Sequence, residues 1–186
     1  MRIISGTNKG KRLIMPNDKS TRPLKDMAKE SVFNILTHAN YINFHLNGSK
    51  VLDLFSGVGS FGLECISRGS KLVFFLENYP PVLEILKSNI SNLKYENKSK
   101  VINIDAFKIK NNTFKTGQKF QIIFCDPPYK EKKIKSLIEN IIEMDILEKN
   151  GIIIIHRKKG EFDKYPKRFE VIDTKSYGLS TFVFGK

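Results

Sequence analysis

The sequence predicts an α/β fold, a doubly wound, mostly parallel, Rossmann-like sheet that carries a small N-terminal hairpin and helix as an extension. Two observations lead to this expectation. Four short apolar segments, typical of strands buried on both faces, each lead into an acidic residue: Asp53, Glu77, Asp105 and Asp126. Stretches with apolar residues at helical spacing lie between them. Ligands of such sheets bind beyond the carboxyl ends of the strands, where these acids fall.

The domain organisation follows from length and from the N-terminal pattern. A chain of 186 residues fits one domain with a proper core. Residues 1–15 are typical of a hairpin, and a helix is predicted after Pro23, a residue suited to a first helical turn. We therefore expect residues 1–48 to form the extension and residues 49–186 the sheet domain.

The first predicted strand leads into a glycine motif. Gly57, Gly59 and Gly62 have the G-x-G-x-x-G spacing, which lets a ligand approach the backbone and a helix pack tightly on the sheet. The spacing also fits a dinucleotide site, with Glu77 as the acid for a ribose hydroxyl. Asp53, four residues before the first glycine, argues against this because it would repel a pyrophosphate. The same carboxylate suits S-adenosylmethionine, which carries a sulfonium, an ammonium and no phosphate.

The next two strand ends supply acids where such a nucleoside cofactor needs them. Residues 71–76 lead to Glu77, whose carboxylate could accept from both ribose hydroxyls. Residues 101–104 lead to Asp105, which could accept from the adenine amino group with Ala106 beside it. An isolated acid of this kind is more often a solvated charge, but four in succession form a pattern. The predicted cofactor-binding set is Asp53, Phe55, Ser56, Gly57, Gly59, Glu77, Asp105 and Ala106.

The segment after the strand at residues 120–125 predicts the chemistry. In Asp126-Pro127-Pro128-Tyr129, the prolines fix φ and lack an N–H, so the loop is stiff and its carbonyls stay free. An exocyclic amine on a base is a poor nucleophile because its lone pair is delocalised into the ring. If Asp126 and the Pro127 carbonyl accept its two N–H bonds, its lone pair is turned outward, and Tyr129 offers a ring on which the base can stack. The alternative is a simple Asp-Pro turn.

The charge favours a polyanionic partner. The net charge is +13 and the pI is near 9.7. The first 30 residues hold eight basic and three acidic side chains. Lys11, Arg12 and Arg22 are the predicted RNA contacts.

Other classes of site find little support in the sequence. Cys65 and Cys125 lack metal-ligand spacing and are expected to be reduced core residues. The three histidines are expected to form no ligand or triad arrangement, so no metal is predicted, and the run of basic residues from Arg157 is expected to be solvated. No apolar run approaches the ~18 residues of a membrane span and no signal peptide opens the chain, which predicts a cytoplasmic protein.

The order of these motifs resembles that of the seven-stranded S-adenosylmethionine-dependent methyltransferases. Nearly the whole chain is similar, more narrowly, to the 16S rRNA (guanine(966)-N(2))-methyltransferase family. The narrower resemblance rests on the N-terminal hairpin, on Thr21-Arg22-Pro23 with the helix after it, and on Tyr177-Gly178 near the end. Met27 departs from the pattern, because the family usually has an arginine there.

The resemblance implies methyl transfer to the exocyclic N2 amine of a guanine in 16S rRNA, within an assembling small ribosomal subunit. A DNA amino-methyltransferase acting on adenine N6 is an alternative, but Asp53 and Asp126 are only 73 positions apart, which leaves no room for a target-recognition domain. A protein glutamine methyltransferase would more often have Asn at position 126. A non-catalytic RNA-binding or ribosome assembly protein would keep the charge but lose the acids, and all four acids are present.

Overall fold

A computed structural model describes residues 1–16, 26–128, 131–161 and 163–186. Within these ranges, seven strands form one sheet in the order β3-β2-β1-β4-β5-β7-β6. The strands are β1 (Lys50–Asp53), β2 (Leu72–Leu76), β3 (Ser99–Ile102), β4 (Phe120–Cys125), β5 (Leu147–Lys158), β6 (Val171–Tyr177) and β7 (Ser180–Gly185). The helices are α1 (Asp26–His38), α2 (Ser60–Ser67), α3 (Pro80–Asn92) and α4 (Ile134–Glu143). The predicted α/β fold class is confirmed.

Five strands of the sheet are parallel and two are not. β3, β2, β1, β4 and β5 pair in parallel, with helical connections between most of them. β7 runs antiparallel to both β5 and β6. No helix lies in the described part of residues 159–170, so the connection to β6 is short. Because β7 is antiparallel to β5, the beginning of β7 lies beside the carboxyl end of β5. This is the edge where ligands bind in such sheets.

Hydrophobic side chains cover both faces of the sheet, in alternation along each strand. Val51, Ile122 and Ile154 belong to the core on one face, while Leu52 and Ile123 belong to the core on the other. This alternation is the period of two that a strand imposes. Because both faces are covered, polar side chains of the sheet lie at the ends of its strands, and the carboxyl ends form the edge where ligands bind in such sheets.

The N-terminal hairpin packs into the same core as the sheet. The N–H of Ile3 donates to the carbonyl of Lys11 at 2.9 Å, and an antiparallel bridge joins Arg2 to Arg12, so the predicted hairpin is confirmed. The side chain of Ile3 is fully buried. Leu13 and the α1 residues Val32 and Phe33 belong to the same cluster.

A buried carboxylate fastens this extension to the sheet domain. Glu64, on α2, accepts the backbone N–H groups of Ile4 and Ser5 at 2.7 and 2.9 Å. It also pairs with Arg68 at 2.8 Å and with the buried Lys29 at 3.6 Å. Burial lowers the pKa of Lys29, and the carboxylate of Glu64 opposes that shift. The domain boundary at residue 48 stays a prediction. The two parts share buried hydrogen bonds and ion pairs, and a sheet domain without residues 1–48 would lose them.

None of the helices in the described part of the chain has the length and the apolar character that a membrane crossing needs.

Candidate active site

Three of the four predicted acids meet at the carboxyl edge of the sheet. Asp53 ends β1, Glu77 follows β2 and Asp126 follows β4. β1 lies between β2 and β4, so its acid is flanked by the other two. The carboxylates of Asp126 and Glu77 are near enough that both contribute to raising the pKa of Asp53. The sheet therefore gathers these charges in one place.

Asp53 is the buried centre of this group. Its side-chain Oδ2 accepts the N–H of Gly62 at 3.1 Å, and its residue is only 1% exposed. Its Oδ1 is buried and has no hydrogen-bond partner in the described part of the chain. Burial, more than the neighbouring carboxylates, raises the pKa of Asp53 to about 8. A buried acceptor without a donor is costly, so this oxygen indicates that a ligand supplies the donor.

The turn after β1 is tied to Glu77 and to β2. The N–H of Gly57, which has a left-handed φ of 53°, donates to Glu77 Oε2 at 2.9 Å. Glu77 Oε1 accepts the N–H groups of Asn78 and Tyr79 at 2.9 and 2.8 Å. The Ser56 hydroxyl is 3.0 Å from the carbonyls of both Asp53 and Leu76. The Ser56 hydroxyl therefore stabilises the turn, and a Cβ at Gly57 would meet nothing within 4 Å, which leaves space for a ligand beside the turn.

The third glycine of the motif has a packing role. A Cβ on Gly62 would lie 2.3 Å from the ring of Phe75 on β2. Only glycine lets α2 lie this close to the sheet, and that closeness brings the N–H of Gly62 to Asp53. A Cβ on Gly59 would likewise clash with Leu86, at 2.6 Å.

Asp105 follows its strand less directly than the other three acids follow theirs. β3 ends at Ile102, so Asp105 comes three residues after the strand rather than directly at its end, as the sequence had predicted. Its Oδ1 accepts the N–H of Phe107 at 3.0 Å and caps a one-turn 3-10 helix that begins at the buried Ala106. The ring of Phe107 lies 5.2 Å from that of Phe55, which follows β1. Asp105 and Phe55 are thus joined through Phe107 along the same edge.

Asp126 has a partner that the sequence analysis missed. β4 and β5 are parallel, with Cys125 opposite Ile155, so the next residues, Asp126 and His156, are neighbours. Asp126 Oδ1 and His156 Nδ1 are 2.7 Å apart. This contact between His156 and Asp126 was not predicted from the sequence. In the described part of the chain, Asp126 Oδ2 makes no hydrogen bond.

Arg157 is a second residue whose place in the structure differs from the prediction. It was expected to lie on a solvated basic face, but it is only 4% exposed. Its Nη1 lies 3.4 Å from the carbonyl of Pro128, and its Nη2 lies 3.1 Å from that of Glu131. Its Nε forms an ion pair with Asp163 at 2.8 Å. Arg157 therefore holds the loop that follows Asp126, with Pro127 buried and Pro128 exposed. A basic run in the sequence gives no signal of this role.

The remaining predicted site residues divide into two groups. Lys11 and Arg12 are exposed on the N-terminal hairpin. Tyr129 and Arg22 lie outside the described residues. Across residues 1–16, 26–128, 131–161 and 163–186, no group of three or more His, Cys, Asp or Glu side chains is placed to hold a metal ion.

Comparison with known proteins assigns the family. The family model described as "Conserved hypothetical protein 95" matches residues 1–186, the whole chain. The chain belongs to this family. In Bacillus subtilis, the relative "Putative rRNA methyltransferase YlbH" is 35% identical over 181 residues, which cover 97% of this chain and 95% of the relative. In Haemophilus influenzae, "Ribosomal RNA small subunit methyltransferase D" is 31% identical over 186 residues, with 98% and 91% covered.

A solved structure agrees on the fold. "Putative methyltransferase yhhF" from Escherichia coli superposes with a TM-score of 0.81 at 23% identity, covering 100% of this chain and 96% of that one. At that identity the likeness shows the fold alone. The relatives confirm the family resemblance read from the sequence motifs, and they identify the family's activity as methyl transfer.

Proposed function

We propose that the protein transfers the methyl group of S-adenosylmethionine to the exocyclic N2 amine of a guanine in 16S ribosomal RNA. One observation carries this proposal. An acceptor for an amine, Asp126 with its stiff proline loop, lies beside Asp53, a buried carboxylate with one oxygen that has no partner in the described part of the chain. The first suits the nucleophile and the second suits a cationic methyl donor. The named relatives support ribosomal RNA of the small subunit, and the motif resemblance supports guanine.

The donor side of the site fits this cofactor. Asp53 Oδ1 would accept from its ammonium group, and Glu77 would accept from its ribose hydroxyls. Gly57 and Gly59 would let it lie against the backbone, while Asp105 and Ala106 would contact the adenine. When bound, the cofactor supplies an electrophilic methyl group on a sulfonium. Charge complementarity is the reason for the fit, since a bound cation favours the ionised form of the buried Asp53 and a phosphate would oppose it.

The acceptor side would hold the amine for in-line attack. The two N–H bonds of the amine would be accepted by Asp126 Oδ2 and by the Pro127 carbonyl, with the base stacked on Tyr129. These acceptors bind more strongly as positive charge develops on the nitrogen. Positioning of the reacting groups can supply about 7–11 kcal/mol of the barrier. The nitrogen becomes acidic once it is methylated, and Asp126 is then in place to accept its proton.

Ribosomal RNA would be held by basic residues outside the methyl-transfer pocket. Lys11 and Arg12 are exposed on the hairpin, and Arg22 follows in the sequence. The target guanine must leave its stack or lie in a loop to reach Asp126. We expect the substrate to be RNA in an assembling small subunit, in the cytoplasm.

Mapping of ribosomal RNA by mass spectrometry tests this proposal. A deletion strain should lack one N2-methylguanine in 16S rRNA. The wild-type gene should restore it, and a gene carrying Asp126→Ala should not. An unchanged modification map in the deletion strain would contradict the proposal. Loss of N6-methyladenine from DNA would instead favour the DNA methyltransferase alternative.

A further inference from the structure

A chain of hydrogen bonds runs from Asp126 through His156 to Ser180. His156 Nδ1 is 2.7 Å from Asp126 Oδ1, and His156 Nε2 is 2.9 Å from Ser180 Oγ. His156 is only 3% exposed. Both ring nitrogens are thus engaged inside the protein, one of them by the carboxylate that would accept from the substrate amine.

Three strands set the place of the His156 ring. Parallel pairing with β4 puts His156 beside Asp126. Antiparallel pairing with β7 puts His156 opposite Phe182, and the two rings stack at 4.7 Å with an angle of 17°. Ser180 lies two residues before Phe182 and therefore on the same face of β7. The imidazole is fixed between the end of β4 and the start of β7.

The hydrogen bonds select one tautomer of the ring. An ionised carboxylate only accepts hydrogen bonds, so the contact with Asp126 requires a hydrogen on Nδ1. In a neutral imidazole, Nε2 is then an acceptor, and the Ser180 hydroxyl can donate to it. A hydrogen bond at one ring nitrogen decides which nitrogen carries the proton. Ser180 therefore supports the tautomer that donates to Asp126.

We propose that His156 is a positioning residue for methyl transfer, which fixes the Asp126 carboxylate through Oδ1 so that Oδ2 faces the substrate amine. This inference rests on the proposed function. Rotation of an aspartate carboxylate about its last bond is broad, so a single donor on Oδ1 restricts its plane. Reacting groups tolerate little misplacement, which makes that restriction matter for turnover. Ser180 acts one step further away, through the tautomer of His156.

Three substitutions separate positioning from packing. His156→Asn places an amide N–H near the position of Nδ1 and retains donation to Asp126. His156→Gln places its amide near Nε2 and loses that donation. His156→Phe keeps the stacking on Phe182 and loses both hydrogen bonds of the ring. We expect the Asn variant to retain most of the wild-type kcat. The Gln and Phe variants should each lose about tenfold or more, the scale of a lost hydrogen bond to a charged group.

The matched control is His38→Gln, an exposed histidine on α1. It should leave kcat unchanged, and the affinity for S-adenosylmethionine should be unchanged in all four variants. Equal losses in the Asn and Gln variants, or full activity in the Phe variant, would overturn the positioning role and leave packing as the role of His156.

A double-mutant cycle tests whether His156 acts through Asp126. In the Asp126→Ala background, His156→Gln should cause no further loss of kcat, because the group that it orients is gone. A further loss of the same size as in the wild-type background would overturn the inference.

Nitrogen NMR of the His156 ring gives a readout that does not depend on activity. We expect the Nδ1–H tautomer in the wild type and a shift towards Nε2–H in Asp126→Ala. A wild-type ring with its hydrogen on Nε2 overturns the inference whatever the activity. Wild-type protein that does not methylate rRNA overturns the proposed function and the positioning role with it. Active wild type with an equally active His156→Gln variant overturns the positioning role alone.

Discussion

The donor and acceptor sides of the site are built differently from the same sheet edge. On the donor side, the hydrogen bonds of Asp53 to Gly62 and of Asp105 to Phe107 lie within strand-turn-helix units and span nine and two residues. The hydrogen bond of Glu77 to Gly57 spans 20 residues and joins the turns that follow the neighbouring strands β2 and β1. On the acceptor side, the hydrogen-bonded residues Asp126 and His156 are 30 positions apart in the sequence, and His156 and Ser180 are a further 24 apart. The first side depends on local motifs, and the second depends on how β5 and β7 pair with their neighbours.

The two sides also differ in how their carboxylates are satisfied. Among the described residues, Asp53 is buried with one oxygen unpartnered, whereas Asp126 is hydrogen-bonded to His156 through Oδ1 and has no partner on Oδ2. A buried carboxylate without a hydrogen-bond donor destabilises the folded protein until a cation binds to it. A carboxylate that already accepts a hydrogen bond is oriented before any ligand binds. We infer that the donor side gains its stability on binding and that the acceptor side is organised beforehand.

The largest expected effect is on the stability of the protein without cofactor. It tests how far the buried Asp53 carboxylate on the donor side lowers the free energy of unfolding. In the unfolded chain Asp53 loses its proton near pH 3.8, while in the folded protein it keeps it to about pH 8. The folded state binds more protons between these values, so the free energy of unfolding falls as pH rises through that window. Asp53→Asn does not titrate. Its advantage over the wild type should therefore grow from about pH 4 to pH 8, by up to about 1.4 kcal/mol per pH unit.

Chemical denaturation at several pH values measures this difference. The advantage of the Asn variant should level off above about pH 8. A difference that does not vary with pH would mean that Asp53 is not strained in the free protein, and the contrast between the two sides would be lost.

Asp126→Ala tests the acceptor side. We expect kcat to fall by about 100-fold or more, the scale of one lost transition-state acceptor. The affinity for S-adenosylmethionine, measured by calorimetry, should change little because Asp126 faces the amine. Turnover near that of the wild type would remove Asp126 from its assigned role. Loss of cofactor affinity would show that the two sides are not separable.

Glu77→Ala should act on the donor side, so that its main effect is on cofactor affinity, in contrast to Asp126→Ala. Loss of a charged acceptor for the ribose hydroxyls should weaken S-adenosylmethionine binding by about tenfold or more. Glu84→Ala is the control, since Glu84 is an exposed acid on α3 that pairs only with Lys87 among the described residues. Calorimetry should also show no heat with NAD. Unchanged cofactor affinity in both Glu77→Ala and Asp53→Ala would place the cofactor elsewhere.

The smallest expected effect concerns the RNA contacts outside both sides. Replacing Arg12 and Arg22 with Ala should weaken RNA binding and lower the salt slope by about 0.7–0.9 for each lost phosphate contact. Arginine suits bidentate phosphate contact. Lys71→Ala with Lys149→Ala removes two exposed cations near the opposite edge of the sheet and serves as the control. An unchanged slope would move the RNA surface to the basic residues 164–168.

The features that could be predicted from the sequence and those that could not differ in the same way as the two sides of the site. Asp53, Glu77 and Asp126 were predicted at the carboxyl edge and are found there. For β3 the strand end was placed two residues late, which hid the cap that Asp105 forms on the next turn. That error is small because it lies within one local segment. The assigned roles of these residues remain predictions.

The sequence by itself determined the parallel core, the glycine turn and the acids that follow the strands. Apolar periodicity and short-range turn chemistry act over a few residues, and both can be read along the chain. Only the tertiary structure decided that His156 contacts Asp126 and that Arg157 contacts the loop beyond it. In the sequence Arg157 precedes Lys158 and Lys159 and matches a solvated basic run, while His156 matches no ligand or triad pattern. Their burial depends on β7 lying antiparallel beside β5, and that register is set by packing between segments far apart in the chain.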